Sequence, residues 1–245
     1  MKAMILAAGH GTRLRPLTDD RPKALVELHG RTLLEITLHR LRGFGINEVI
    51  VNAHHFSGMI VEYLKAHDHF GMNIEISQED DLLDTGGGLK KASQFFLCDS
   101  TDEPFILHNV DVLSSIDLGE MVEFHRSHGA LATLAMQDRE SSRRLLFDEH
   151  LQLCGRWEDE DEEIVHPIRQ MHPLAFCGIH VISPRIFALM PEPHAFPIIA
   201  AYLRMAGEGE NIQAFRADQY YWRDLGTQES LVQAAEDMVQ RVVEQ

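Results

Sequence analysis

The stretch from Leu6 to Leu25 reads LAAGHGTRLRPLTDDRPKAL, and its residue types suit the binding of a small phosphorylated molecule. Ala7, Ala8, Gly9 and Gly11 carry little or no side chain, so the backbone there can approach a ligand closely and turn its N–H groups toward oxygen acceptors. Arg13, Arg15 and Lys23 place three cations in the same loop. The plainer reading is an ordinary turn between a strand and a helix. Two familiar phosphate loops fail on inspection. A P-loop needs GxxxxGK followed by Ser or Thr, and a dinucleotide fingerprint needs a third glycine where Leu14 stands.

Such a loop needs a scaffold, and the flanking pattern predicts one. Positions 2–6 read as a buried strand, after which Leu34, Leu38 and Leu41 mark one helix face that Gly43 and Gly45 end. A strand over 48–52, a helix with Ile60, Tyr63 and Leu64 on one face, a strand near 73–77, a helix from about Gly87 and a strand over 104–108 follow. This βαβαβ rhythm predicts an α/β fold with a mostly parallel sheet, right-handed crossovers and helices on both faces. In that class ligands bind at the carboxyl ends of the strands. From about Ala130 the connections shorten, with strands expected over 130–136, 144–147, 151–154 and 175–182, so the second half reads as mixed and partly antiparallel. A helix over 196–206, a strand over 211–215 and a last helix capped by Thr227, with Leu231, Ala235, Met238 and Val242 on one face, complete the pattern. No linker separates two folding units, so a single domain over 1–245 is expected, with halves of about 1–112 and 113–245.

Composition narrows the partners. Of 245 residues 22 are Lys or Arg and 38 are Asp or Glu, a formal charge of -16 that repels nucleic acid and anionic membranes. The longest apolar runs are about six residues, far short of a membrane span. Cys98, Cys154 and Cys177 are unevenly spaced with no CxxC pair, which fits neither a disulfide framework nor a zinc site and makes a reducing cytoplasm the expected location. The 15 histidines show no ligand spacing and read as solvated or hydrogen-bonded. The acidic run EDEDEE at 158–163 reads as a solvated, self-repelling loop rather than a metal site.

The stretch 6–25 resembles the signature of sugar-1-phosphate nucleotidylyltransferases, close to LAAGxGTRLxPLTxxxPKxL, with His10 at a variable position. Further resemblances follow in order. They are Ser77, Gln78 and Glu79 with LDTGGG at 83–88, FILHNVDV at 105–112, FCGIHVISP at 176–184 and WRDLGT at 222–227. The short length and the TGGG segment are most similar to N-acetylmuramate-1-phosphate uridylyltransferase-like members. The resemblance implies a Rossmann-like nucleotidyltransferase sheet and the reaction of a nucleoside triphosphate, expected to be UTP, with a sugar 1-phosphate to give an NDP-sugar and pyrophosphate.

The resemblance also implies roles for particular residues. Arg13, Lys23 and Asp111 are expected to be catalytic. Leu6, Ala7, Ala8, Gly9, Gly11, Thr12, Arg13, Lys23, Glu79, Thr85, Gly86 and Asn109 are expected at the nucleotide, and Gly178 and Asn109 at the sugar. Asp111 and Asp224 each follow a strand-like run, and two hard oxygen ligands completed by phosphate oxygens suit Mg²⁺. Small-molecule substrates are the only partners implied, and monomer and homo-oligomer are both left open. Val110 stands where the family has glycine, so the backbone before Asp111 is either ordinary β or locally altered. No Glu-Lys-Pro segment of the kind that holds the hexose in larger members occurs between Phe147 and Phe176. A non-catalytic nucleotide-sugar sensor would be expected to lack a loop cation or a metal carboxylate, and all four are present. A glycosyltransferase would show DxD where this chain has Asn109, Val110 and Asp111.

Overall fold

A computed structural model describes residues 1–98, 102–159, 161–166 and 170–239. The chain forms two units, the first made of Met1–Leu82, Leu107–Ile116 and Tyr220–Gln245, the second of Leu83–Ile106 and Asp117–Gln219.

In the first unit the strand Lys2–Leu6 pairs in parallel with Glu48–Ala53, which pairs in parallel with Asn73–Gln78. Ala3, Met4 and Ile5 are fully buried, as is Val51 opposite Ile5, which is why the first two of these runs read as continuously apolar, while Asn73–Gln78 alternates. Phe105–Asn109 lies next to Lys2–Leu6, and its last three residues belong to this unit. The helix Leu33–Gly43 starts at Thr32, whose hydroxyl accepts from the Glu35 N–H at 3.1 Å, and it buries Leu34, Leu38 and Leu41 as the spacing predicts. Arg40 on this helix donates to the carbonyls of Ser114 and Ile116, anchoring the segment that follows Asp111. A two-stranded antiparallel sheet joins Val112–Ser114 to Trp222–Asp224. The last helix, Gln228–Val239, is capped by Thr227, whose Oγ1 accepts from the Ser230 N–H at 3.1 Å. Its buried positions are Leu231 and Ala234, one residue short of the expected Ala235, and Val242 lies outside the described residues.

The second unit is built on a mixed sheet. His172–Ile182 pairs antiparallel with Arg143–Phe147 through its first residues and with Ala132–Gln137 through its later ones, while Ile212–Arg216 pairs with Ala132–Gln137 in parallel. The register of the long strand shifts between Phe176 and His180, where Gly178 sits at φ 73°, a conformation open to glycine without a Cβ clash.

Two local expectations are corrected. The helix expected from about Gly87 begins at Asp84 and runs to Lys91, and Ser93–Leu97 forms a separate short helix. Three consecutive glycines hide a helix start from propensity reasoning, yet here Gly86 and Gly87 donate to the Phe196 carbonyl and Thr85 Oγ1 accepts from the Ile198 N–H. The acidic run is not a loop: Glu158 ends the strand Leu153–Glu158 and Asp161–Ile164 pairs back against it. Arg156 meets Glu163 at 2.8 Å and Arg143 meets Glu158 at 2.7 Å, so cations on paired strands offset the repulsion that made a loop seem necessary. Glu160 lies outside the described residues.

Two buried histidines give the fold a pH dependence. Burial lowers His108 to about 4, helped by the Arg40 charge, and burial lowers His125 to about 4 between the hydroxyls of Thr133 and Ser183. Because each folded-state value lies below the unfolded one, the unfolded chain takes up more protons between about pH 6.5 and pH 4, and stability falls as pH falls through that window. The expected loss is on the order of 1–3 kcal/mol per histidine once the window is crossed. It is read as a lower urea midpoint at pH 5 than at pH 7.5, and a midpoint unchanged between those values would contradict the burial of both rings.

Candidate active site

The glycine-rich loop begins where the first strand ends. Leu6 O accepts from the Val110 N–H at 3.1 Å, and the Ala7 N–H donates to Asn52 Oδ1 at 2.7 Å, so the chain is held on both sides at its exit. Ala7 and Ala8 are buried, whereas Gly9 and His10 are exposed and a β-carbon on Gly9 would meet nothing. Gly11 turns the chain at φ 63°, and a β-carbon there would lie 3.0 Å from Thr18 Cγ2 and 3.1 Å from Lys23 Cβ. Glycine is therefore required at this position on two counts, the left-handed backbone and the close approach of the Lys23 stem. Thr18 Oγ1 donates to Gly11 O at 2.9 Å and closes the loop onto itself. Thr12–Leu14 then forms one 3-10 turn that buries Leu14 and leaves Thr12 and Arg13 exposed.

The loop cations meet the two aspartates singled out from the sequence. Lys23 Nζ donates to Asp111 Oδ2, and both side chains are mostly covered, at 13% and 15% exposure. Arg13 Nη2 stands 3.7 Å from Asp224 Oδ1, with exposures of 64% and 42%. The inner pair is the stronger for that reason, since solvent screens the outer one. The backbone ties the two pairs together: Leu225 N–H donates to Asp111 O at 2.8 Å, one step beyond the Asp224–Val112 register. Asp224 Oδ1 also accepts from the Gly226 N–H at 2.6 Å. Arg223 next to it donates to Asp237 Oδ2 at 2.9 Å, which fixes the strand against the last helix.

The chain of contacts thus gathers Leu6, Ala7, Ala8, Gly9, Gly11, Thr12, Arg13, Lys23, Asp111 and Asp224 around one loop. Asn109 ends its strand two residues before Asp111. Val110 is buried and is not among the residues with positive φ, so the position where the family has glycine is ordinary backbone here. Glu79 is 2% exposed and accepts from Asn52 Nδ2 at 2.8 Å. Thr85, Gly86 and Gly178 belong to the second unit. A β-carbon on Gly86 would fall 2.3 Å from the Phe196 ring, so packing alone requires glycine there.

Sequence reasoning missed Asn52 and Gly226. Asn52 carried a signal, as the one polar residue amid Val49, Ile50, Val51 and Ala53. A β-carbon on Gly226 would lie 2.5 Å from both Arg13 Nη2 and Asp224 Oδ1, so the residue keeps clear the space between cation and carboxylate. No group of three or more His, Cys, Asp or Glu able to hold a metal occurs among the described residues. The donor set that remains, two carboxylates each faced by a cation, suits an ion that takes the rest of its ligands from phosphate and water.

Residues 2–145 match the family model described as nucleotidyl transferase. The chain is 29% identical over 233 residues to a mannose-1-phosphate guanyltransferase of Yarrowia lipolytica, covering 92% of this chain and 61% of that protein. It is 34% identical over 210 residues to mannose-1-phosphate guanylyltransferase 1 of Arabidopsis thaliana, covering 82% and 56%. The chain thus spans about three fifths of the length of these curated relatives. Among solved structures it superposes on a UDP-glucose pyrophosphorylase complexed with UDP-glucose with a TM-score of 0.79 at 18% identity, over 98% of both chains. HddC from Yersinia pseudotuberculosis gives a TM-score of 0.78 at 21% identity, over 97% of this chain and 99% of that one.

Proposed function

The chain belongs to the nucleotidyl transferase family, and from that premise we propose that it transfers a nucleotidyl group from a nucleoside triphosphate to a sugar 1-phosphate, releasing pyrophosphate. The observation that carries the reading is the pairing of two of the three loop cations with the two strand-end carboxylates, Lys23 with Asp111 and Arg13 with Asp224. A sensor that only binds would be expected to lack one of these four groups, which favours the enzyme.

The chemistry asks little of the side chains as acids or bases. A sugar phosphate is largely ionised at neutral pH, its second pKa being roughly 6, so it is its own nucleophile. What the protein supplies is alignment for in-line attack and neutral surroundings for the charge that moves onto the leaving group. Lys23 has three N–H donors, so it can keep Asp111 and still donate to the sugar phosphate or the α-phosphate. Arg13, more exposed, reaches the departing β,γ-phosphates. The backbone of Ala8, Gly9 and Gly11 lies against the nucleotide, with Asn109 near the sugar. Asp111 and Asp224 would hold Mg²⁺, which when bound offsets negative charge on phosphate oxygens.

For the substrates we take UTP and an N-acetylmuramate-type sugar 1-phosphate, on the likeness of the TGGG segment. The relatives' names, mannose-1-phosphate guanyltransferases, carry the opposite choice of GTP. A matrix of the four nucleoside triphosphates against a panel of sugar 1-phosphates, scored by pyrophosphate release, tests both levels. UTP with an amino-sugar 1-phosphate is expected to be fastest. A preference for GTP and mannose 1-phosphate would replace the uridylyl reading. Silence in every cell, with a nucleotide sugar still bound, would remove the enzyme reading.

A further inference from the structure

Asn52 and Glu79 are each 2% exposed, and together they form a short buried relay that ends on the loop. Asn52 stands opposite Leu6 on one side and Ser77 on the other, at the point where three parallel strands end. Had the first strand continued, the Ala7 N–H would seek a backbone carbonyl. Instead it donates to Asn52 Oδ1 at 2.7 Å, and Asn52 Nδ2 donates to Glu79 Oε1 at 2.8 Å. A backbone N–H only donates, so Ala7 takes the carbonyl end of the Asn52 amide, and the NH₂ end is left to donate to Glu79 Oε1, which holds it in that orientation. The Glu79 N–H in turn donates to Ala53 O at 2.8 Å, and its carbonyl lies 3.0 Å from His54 Nδ1, so the carboxylate sits on anchored backbone.

We infer that Asn52 is a positioning residue for the phosphate-binding loop, oriented by Glu79, and this rests on the function proposed above. The relay acts by replacing the next ladder hydrogen bond with a side-chain one. That ends the strand at Leu6 and fixes the direction in which Ala7, Ala8 and Gly9 present their backbone. Glu79 acts through Asn52 in this scheme. The arrangement has a definite polarity, N–H to carbonyl, then amide N–H to carboxylate, and the polarity of the second link can be inverted by exchanging the two functional groups.

The test uses that inversion in the full-length protein. Asn52→Asp keeps size but sets two carboxylates against each other, so at pH 8 turnover is expected to fall about tenfold or more, and the Ala7 amide should exchange with solvent at least tenfold faster. Adding Glu79→Gln to that variant restores a relay with its second link reversed: the new amide NH₂ at 79 donates to the new carboxylate at 52, which still accepts from the Ala7 N–H. The double variant is expected to recover Ala7 protection and to turn over faster than the single one. A single variant indistinguishable from the parent in both readings, or a double variant no better than the single, overturns the inference. If Asn52→Asp does not fold, the double variant decides alone, since it must fold with Ala7 protected. Amide exchange needs no substrate, so a parent protein with a protected Ala7 and no turnover would count against the proposed reaction and not against the relay.

Discussion

Lys23→Met is expected to cost about 10²–10³-fold in turnover, the usual loss when one preorganised donor to a developing phosphate charge is removed. The same change leaves Asp111 largely covered and without its cation, so folding stability should drop as well, by about 1–3 kcal/mol. Asp111→Asn should produce losses of similar size, because it removes the partner of Lys23 and one of the two carboxylates proposed for Mg²⁺. The informative variant is the double one. Two residues that act as a unit give losses that do not multiply, so Lys23→Met with Asp111→Asn should be little slower than either single variant and no less stable. Steady-state kinetics with urea midpoints on all four proteins complete the cycle, and losses that multiply would mean independent roles. A companion cycle on Asp111→Asn and Asp224→Asn should also be non-additive if both hold one ion.

Gly226→Ala should show the opposite signature, a nearly intact fold with a damaged site. The added carbon would meet the end of the Arg13 side chain and one oxygen of Asp224, each at 2.5 Å. Arg13 is mostly exposed and can swing away at little cost, so the thermal midpoint should hardly move. Turnover depends on where that guanidinium stands, and a misplacement of about 1 Å can cost on the order of 100-fold. Nucleotide affinity should change far less than turnover, since charge on the leaving pyrophosphate grows only as the bond breaks. Arg13→Ala should reproduce the effect. A Gly226→Ala protein with parental turnover, or one whose loss lies wholly in nucleotide affinity, would separate Arg13 from the leaving group.

The strands Lys2–Leu6 and Glu48–Ala53 were legible because each is a short, largely apolar run bounded by glycine or a turn, whereas Asn73–Gln78, at the sheet edge, alternates buried Ile74 with exposed Asn73 and Glu75. The loop 6–25 was legible because its small residues and cations are contiguous. What was hidden depends on partners far away in the chain. Asn52 meets residues 45 and 27 positions distant, and no local pattern announces either contact. The helix Asp84–Lys91 carries three glycines in its first half because Phe196 packs on Gly86 and its carbonyl accepts from Gly86 and Gly87, a tertiary override of propensity. The acidic hairpin formed against charge repulsion because Arg143 and Arg156 stand on the facing strands.

The central claim is that the α-phosphoryl group passes to the sugar phosphate while the β- and γ-phosphates leave together. Parallel reactions with nucleoside triphosphate labelled at the α- or the γ-phosphorus, run with the sugar 1-phosphate that the substrate matrix selects, read this directly. The account predicts α-label in the nucleotide sugar and γ-label in pyrophosphate, in equal amounts and only when both substrates are present. Label from the γ-position in orthophosphate or on the sugar, or α-label that never leaves the mononucleotide, would contradict it.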